Sequence, residues 1–123
     1  MIEGYFNLRG ELFFEIDLMA TNSSIVTVDA MLDTGFTDWL AINIQDIESL
    51  GWDFLEKSEK QTAGGFVRFD LYAGSVIFDN QEMTIPVIGG EELTHVLMGL
   101  QWLNNRRLIV DRKMDLLTLE KAN

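Results

Sequence analysis

The chain has 123 residues, a mass of 14.0 kDa, 47% hydrophobic residues and a formal net charge of −11 at pH 7. This length predicts a single domain over residues 1–123, and the hydrophobic fraction is that of an ordinary globular protein. The sequence contains no cysteine, which excludes disulfides, thiolate metal sites and a cysteine nucleophile. Its single histidine, His95, offers little for a histidine-based metal site. The strong negative charge disfavours nucleic-acid binding.

The sequence also predicts where the protein works. Its uncharged segments are well short of the roughly 20 apolar residues that cross a membrane as a helix, so we expect no membrane partner. The first 14 residues lack the basic start and apolar run of a secretory signal. Together with the absence of cysteine, this predicts a cytoplasmic protein.

Short segments that alternate between apolar and polar residues predict a mostly β fold. In chain order, the predicted strands are residues 12–18, 25–32, 39–42, 66–72, 75–78, 83–88, 107–110 and 116–119. Gly64 and Gly65 stand between extended segments and predict a tight hairpin turn with positive φ angles.

The remaining segments carry helix, loop and breaker signals. Residues 43–50 predict a short helix that Asn43 caps and Gly51 ends, and residues 100–105 predict one or two helical turns. The charged residues 53–60 predict a loop. Gly89-Gly90 is expected to break the chain, and Pro86 is expected to mark an edge strand or a bulge.

The triplet Asp33-Thr34-Gly35 follows directly on the predicted strand 25–32. A carboxylate at the end of a buried strand is costly unless it is paired or hydrogen-bonded. The Thr34 hydroxyl and the Gly35 backbone N–H can supply such bonds. Taken alone, the triplet is also typical of an ordinary turn after a strand.

The wider pattern resembles the retroviral-type (retropepsin-like) aspartic proteases, and specifically the small prokaryotic branch whose active-site motif reads Asp-Thr-Gly-Phe. Residues 28–37 resemble the family's apolar strand and catalytic triplet, and Phe36 fits the prokaryotic branch. Residues 96–103 resemble its second motif, two apolar residues and a glycine before a short helix. The double glycine at Gly64-Gly65 lies where the family carries its flap, and the resemblance extends from Leu12 to Leu119.

The resemblance implies a single-lobe, closed β-barrel of short hairpins with one or two short helices. It implies a homodimeric aspartic endopeptidase that needs no metal or cofactor and acts on peptide or protein substrates. Because the chain holds one such triplet, each subunit would give one aspartate to a shared pair that activates water. The implied residues are Asp33, Thr34 and Gly35 for catalysis, Ala63, Gly64 and Gly65 for the flap, and Leu97, Met98 and Gly99 for active-site support.

Two other functions stay open from the sequence. The first is a catalytically inactive dimerisation or peptide-binding module on the same fold, since a fold does not fix a function. The second is a different carboxylate hydrolase, such as a glycosidase that takes two acids from one chain. Asp38 adds a carboxylate close to the triplet, and its role and that of Phe36 in substrate preference are open.

Overall fold

The computed structural model describes residues 1–122. Within these residues the chain forms eleven strands, one α-helix and one 3-10 helix. The elements are β1 (Ile2–Glu3), β2 (Tyr5–Phe6), β3 (Leu12–Met19), β4 (Ile25–Leu32), β5 (Leu40–Asn43), α1 (Ile44–Leu50), β6 (Phe54–Thr62), β7 (Gly65–Phe78), β8 (Gln81–Gly90), β9 (Val96–Met98), the 3-10 helix (Leu100–Leu103), β10 (Arg106–Asp111) and β11 (Leu116–Lys121).

The larger sheet closes on itself into a barrel. Its strand order is β2-β3-β4-β9-β5-β8-β7-β6, and an additional pairing of β3 with β7 joins the ends of a ring of six strands. β2 extends from β3, and β6 extends from β7 away from the ring. A second sheet of order β1-β11-β10 packs beside the barrel. The predicted mostly β, closed-barrel fold with short helices is confirmed.

Alternation along the strands places one face of each in the core. In β3 the side chains of Phe14, Ile16 and Leu18 are buried, and the residues between them are exposed or partly exposed. Trp102 of the 3-10 helix enters the same core and donates its indole N–H to the Trp39 carbonyl at 2.8 Å. This bond ties the segment after β9 to the segment before β5.

The α-helix begins and ends where the sequence predicts, but its first residue is held differently. Asn43 occupies the N-cap position without a side-chain capping bond. Its amide instead donates to the Leu93 carbonyl at 3.1 Å and accepts from the Leu93 N–H at 2.8 Å. Asn43 thus occupies the predicted N-cap position, but the prediction that its side chain caps the helix is wrong. Gly51 ends the helix in the left-handed conformation, with φ of 78°.

The prediction of a charged loop over residues 53–60 is wrong. These residues lie mostly in β6, which pairs with β7 as a long two-stranded hairpin. Most of β6 is exposed on both faces, so no apolar alternation marks it as a strand. Cross-strand ion pairs take the place of packing, such as Lys57 with Asp70 at 3.0 Å.

The predicted break at Gly89-Gly90 is also wrong, because β8 continues through both residues and pairs there with β5. A Cβ at Gly89 would come within 2.8 Å of Ile44 and Tyr72 side-chain atoms, so this glycine serves close packing and not a turn.

Pro86 precedes Val87, where the pairing with β5 begins, and so occupies a local sheet edge. Among the described residues, no helix is long and apolar enough to cross a membrane.

Candidate active site

Asp33 follows β4 at the point where β4 runs parallel to β9. The register pairs Leu32 with Met98, and the Asp33 N–H donates to the Met98 carbonyl at 2.9 Å. The Gly35 N–H donates to Oδ1 of Asp33 at 2.9 Å. The carboxylate is therefore held at the end of a core strand but stays partly exposed, so water and substrate can reach it.

The backbone after Asp33 folds into a fixed loop, which we call the site loop (residues 33–39). The Phe36 N–H donates to the Asp33 carbonyl at 3.1 Å, and the Leu100 N–H donates to the Phe36 carbonyl at 2.7 Å. Gln101 donates its side-chain N–H to the Thr37 carbonyl at 3.0 Å. These two bonds from the 3-10 helix hold the site loop in place.

Gly99 lets these two segments approach closely. A Cβ at this position would overlap the Asp38 carbonyl oxygen and lie 2.8 Å from the Phe36 carbonyl oxygen. The Gly99 N–H also donates to the Trp39 carbonyl at 2.9 Å. The structure therefore brings Met98 and Gly99 directly against the site loop, while Leu97 pairs with Met31 one residue further from Asp33.

Asp29, the other carboxylate of this strand, lies too far away to join Asp33. Four residues of extended chain separate them by about 13 Å. Partial burial raises the pKa of the Tyr5 hydroxyl above its usual value, and the Asp29 carboxylate raises it further. Asp29 therefore does not supply a second carboxylate beside Asp33, and the Asp38 carboxylate of the same loop pairs with Lys60.

The predicted flap residues form the tip of the β6–β7 hairpin. Ala63 and Gly64 make the two-residue turn between Thr62 and Gly65, which pair with each other. Gly65 has the predicted positive φ, at 114°, whereas Gly64 is not in a positive-φ conformation. The Thr62 hydroxyl accepts the Gly64 N–H at 3.2 Å and donates to the Gly65 carbonyl at 2.9 Å. All three tip residues are exposed.

Lys60 of the hairpin contacts the site loop, and the sequence did not predict this contact. Its ammonium group donates to the Thr37 hydroxyl at 2.7 Å and forms an ion pair with the Asp38 carboxylate. It also lies 6.0 Å from the centre of the Phe36 ring. The available signal is that Lys60 is the nearest lysine before the predicted turn, but the prediction of a loop over residues 53–60 placed it outside the hairpin strands.

No group of three or more histidine, cysteine, aspartate or glutamate side chains suited to a metal ion occurs among residues 1–122. His95 packs edge-on against Phe13, with ring centres 5.1 Å apart.

The chain is similar to three solved protease structures. A retropepsin-like aspartic protease from Rickettsia conorii is 24% identical over 98% of this chain and 89% of that one, with a TM-score of 0.70. The EIAV protease, solved in complex with the inhibitor HBY-793, is 14% identical over 80% of this chain and 89% of that one, with a TM-score of 0.56. The Simian Foamy Virus (mac) protease is 15% identical over 78% of this chain and 99% of that one, with a TM-score of 0.54.

No protein-family model and no curated protein sequence matches the chain. At these identities, the solved structures establish the fold. The chain has the fold of the retropepsin-like aspartic proteases, as the resemblance in its sequence predicts.

Proposed function

We propose that this protein is an aspartic endopeptidase that acts as a homodimer, with one Asp33 from each subunit. The observation that carries the proposal is the placement of Asp33 within a retropepsin-like fold. Its carboxylate stands at the end of a core strand, is held by the Gly35 N–H, and stays open to solvent. Because Asp29 lies about 13 Å along the same strand, a second copy is the natural source of the other carboxylate.

The chemistry follows from two carboxylates that share one proton across a two-fold axis. Like charges about 3 Å apart do not both ionise easily, so one aspartate keeps the proton. The ionised partner takes a proton from a bound water, and the protonated partner polarises the scissile carbonyl. Thr34 and Gly35 would brace the pair and let the backbone approach the substrate. No covalent intermediate is required.

The β6–β7 hairpin would cover an extended peptide and supply main-chain hydrogen bonds to it, with Ala63, Gly64 and Gly65 at its tip. Leu97, Met98 and Gly99 would pack against the site loop and support it.

We also propose that residues 1–123 form one domain and that the enzyme acts in the cytoplasm on peptide or protein substrates. The net charge of −11 supports a partner other than nucleic acid.

The test is a mass-spectrometric cleavage profile on a diverse peptide library from about pH 4 to 7, because a carboxylate pair works while it holds one proton and loses that proton as the pH rises. Wild type is compared with Asp33→Asn, which keeps the side-chain shape but cannot supply the ionised carboxylate. We expect cuts from wild type and a loss of at least about 1,000-fold in Asp33→Asn.

Asp29→Asn is the matched control, because it removes the same charge from the same segment four residues away. It should keep its cleavage pattern. Equal cleavage by Asp33→Asn and wild type would show that Asp33 is not the catalyst. An absence of cuts by dimeric wild-type protein would favour the inactive peptide-binding module.

A further inference from the structure

The β6–β7 hairpin carries three ion pairs, and one of them differs from the other two. Lys57 pairs with Asp70 at 3.0 Å, and Arg68 pairs with Glu59 at 2.8 Å, both across the hairpin itself. Lys60 instead leaves the hairpin and pairs with Asp38 of the site loop. It joins the hairpin to the loop that follows Asp33.

The strand register explains the difference. Residues that pair directly across two antiparallel strands share a face, and successive residues alternate between faces. The pairs Lys57–Asp70 and Glu59–Arg68 therefore lie on one face, and Ser58–Phe69 and Lys60–Val67 lie on the other. Along β6, Ser58 and Lys60 are partly buried and the other residues are exposed. The face with Lys60 is thus the face turned toward the barrel.

The two ends of this contact differ in how firmly they are held. The site loop is fixed by backbone bonds from Phe36 to Asp33 and from Leu100 to Phe36. The hairpin is a two-stranded ribbon, and its ladder is interrupted near the base by a register shift between Phe54 and Glu56. Bulges of this kind bend a strand, so the hairpin is the part that can move.

We propose that Lys60 is a latch that holds the hairpin closed over Asp33 while the site is empty. This inference rests on the proposed function and adds regulation of access to it. The ammonium group clamps the hairpin to Thr37 and Asp38, four and five residues beyond Asp33. A peptide that enters between the hairpin and the site loop has to break this clamp first. Lys60 is therefore a positioning residue that sets how often the site opens.

The exposure of this contact is that of a reversible one. The Lys60 and Asp38 side chains are 33% and 36% exposed, so salt reaches the pair from its edge, while the pairing oxygen, Asp38 Oδ2, is itself shielded from water. An ion pair in such a setting is weaker than a buried one, but the additional hydrogen bond to Thr37 adds to it. Salt should therefore loosen the hairpin without unfolding the barrel.

The test is hydrogen exchange by mass spectrometry on peptides that cover residues 54–72, at low salt and at about 0.5 M salt, where the Debye length falls to a few Å. The variants are Lys60→Met and Asp38→Asn, each of which removes one charge and keeps side-chain bulk. We expect hairpin exchange about three- to tenfold faster in both variants at low salt. Salt should accelerate exchange in wild type but not in the variants.

Lys57→Met is the matched control, since it removes the same charge from the same strand but from the opposite face. Its hairpin exchange should stay within about twofold of wild type, as is usual for an exposed pair. Lys60→Arg should restore slow exchange. Exchange in β3 and β4 should be the same in all variants, which separates opening of the hairpin from general destabilisation.

Two results would overturn the latch: hairpin exchange in Lys60→Met equal to that of wild type, or an equal acceleration in Lys57→Met. These measurements need no substrate and no turnover. A protein without peptidase activity can therefore still confirm the latch, and an active peptidase can still refute it. All variants are compared at one protein concentration, with equal oligomeric state verified by sedimentation.

Discussion

At the scale of single residues, the site depends on a backbone approach that only glycine permits. Gly99 has φ of −100°, a conformation open to any amino acid, so its role is not conformational. The constraint is space, because a Cβ would overlap the Asp38 carbonyl oxygen. The neighbouring atoms are backbone, and they belong to the loop that follows Asp33, so they cannot move aside without disturbing the site.

Gly99→Ala should therefore lower the free energy of unfolding by about 1–3 kcal/mol or more, as overpacking against fixed backbone does. Urea unfolding followed by tryptophan fluorescence measures the loss. Gly64→Ala is the control, because its added Cβ would meet the Thr62 hydroxyl oxygen at 3.9 Å, an ordinary contact. A change in Gly99→Ala no larger than in Gly64→Ala would contradict the close approach.

At the scale of elements, Asn43 joins the start of α1 to the segment between β8 and β9. Its side chain both donates to and accepts from the Leu93 backbone, as a neighbouring strand would. The helix sits against the barrel through the buried Ile47 and Leu50. The Asn43 bonds therefore hold residues 91–95 beside the helix, just before the chain enters β9 and the site.

Asn43→Ala leaves the Leu93 N–H and carbonyl without these partners and should cost about 1–3 kcal/mol of stability. Asn43→Asp separates the two bonds, since a carboxylate can accept the Leu93 N–H but cannot donate to its carbonyl. We expect an intermediate loss by thermal unfolding. If Asn43→Ala melted like wild type, the bridge to Leu93 would have no energetic role.

The elements also show how far the sequence could be interpreted. Strands with one buried face, such as β3 and β4, were predicted closely because apolar and polar residues alternate along them. β6 was missed because neither of its faces is covered by a full apolar layer. Gly89 was mistaken for a turn residue, because its reason for being glycine is the nearby Tyr72 and Ile44 side chains, which belong to other elements.

In the candidate site, too, some features are predicted by local sequence and others depend on residues far apart in the chain. The triplet at Asp33 and the hairpin tip at Gly64-Gly65 were found from local patterns and from the resemblance. The contact between Lys60 and the site loop joins residues 22 or more positions apart in the chain, and no local pattern records such a pairing. Gln101, which holds the Thr37 carbonyl from a distance of 64 positions, was missed for the same reason.

At the scale of the whole molecule, the central claim is that the site is shared. One chain supplies one Asp-Thr-Gly triplet, and Asp29, the aspartate of the strand that leads to it, lies about 13 Å from Asp33. A two-fold dimer would bring two copies of Asp33 together, each held by its own Gly35 and Met98. In a shared site, an inactive subunit should inactivate the active subunit with which it pairs. An enzyme whose site lies within one subunit does not show this effect.

The most direct test mixes wild type with Asp33→Asn subunits and allows them to exchange before cleavage is measured. With equal amounts of both, random pairing leaves a quarter of the dimers fully wild type, so activity per wild-type subunit should fall to about half. A threefold excess of the variant should lower it to about a quarter. Activity that stayed unchanged across the titration, with subunit exchange verified by mass spectrometry, would contradict a site built from two copies of Asp33.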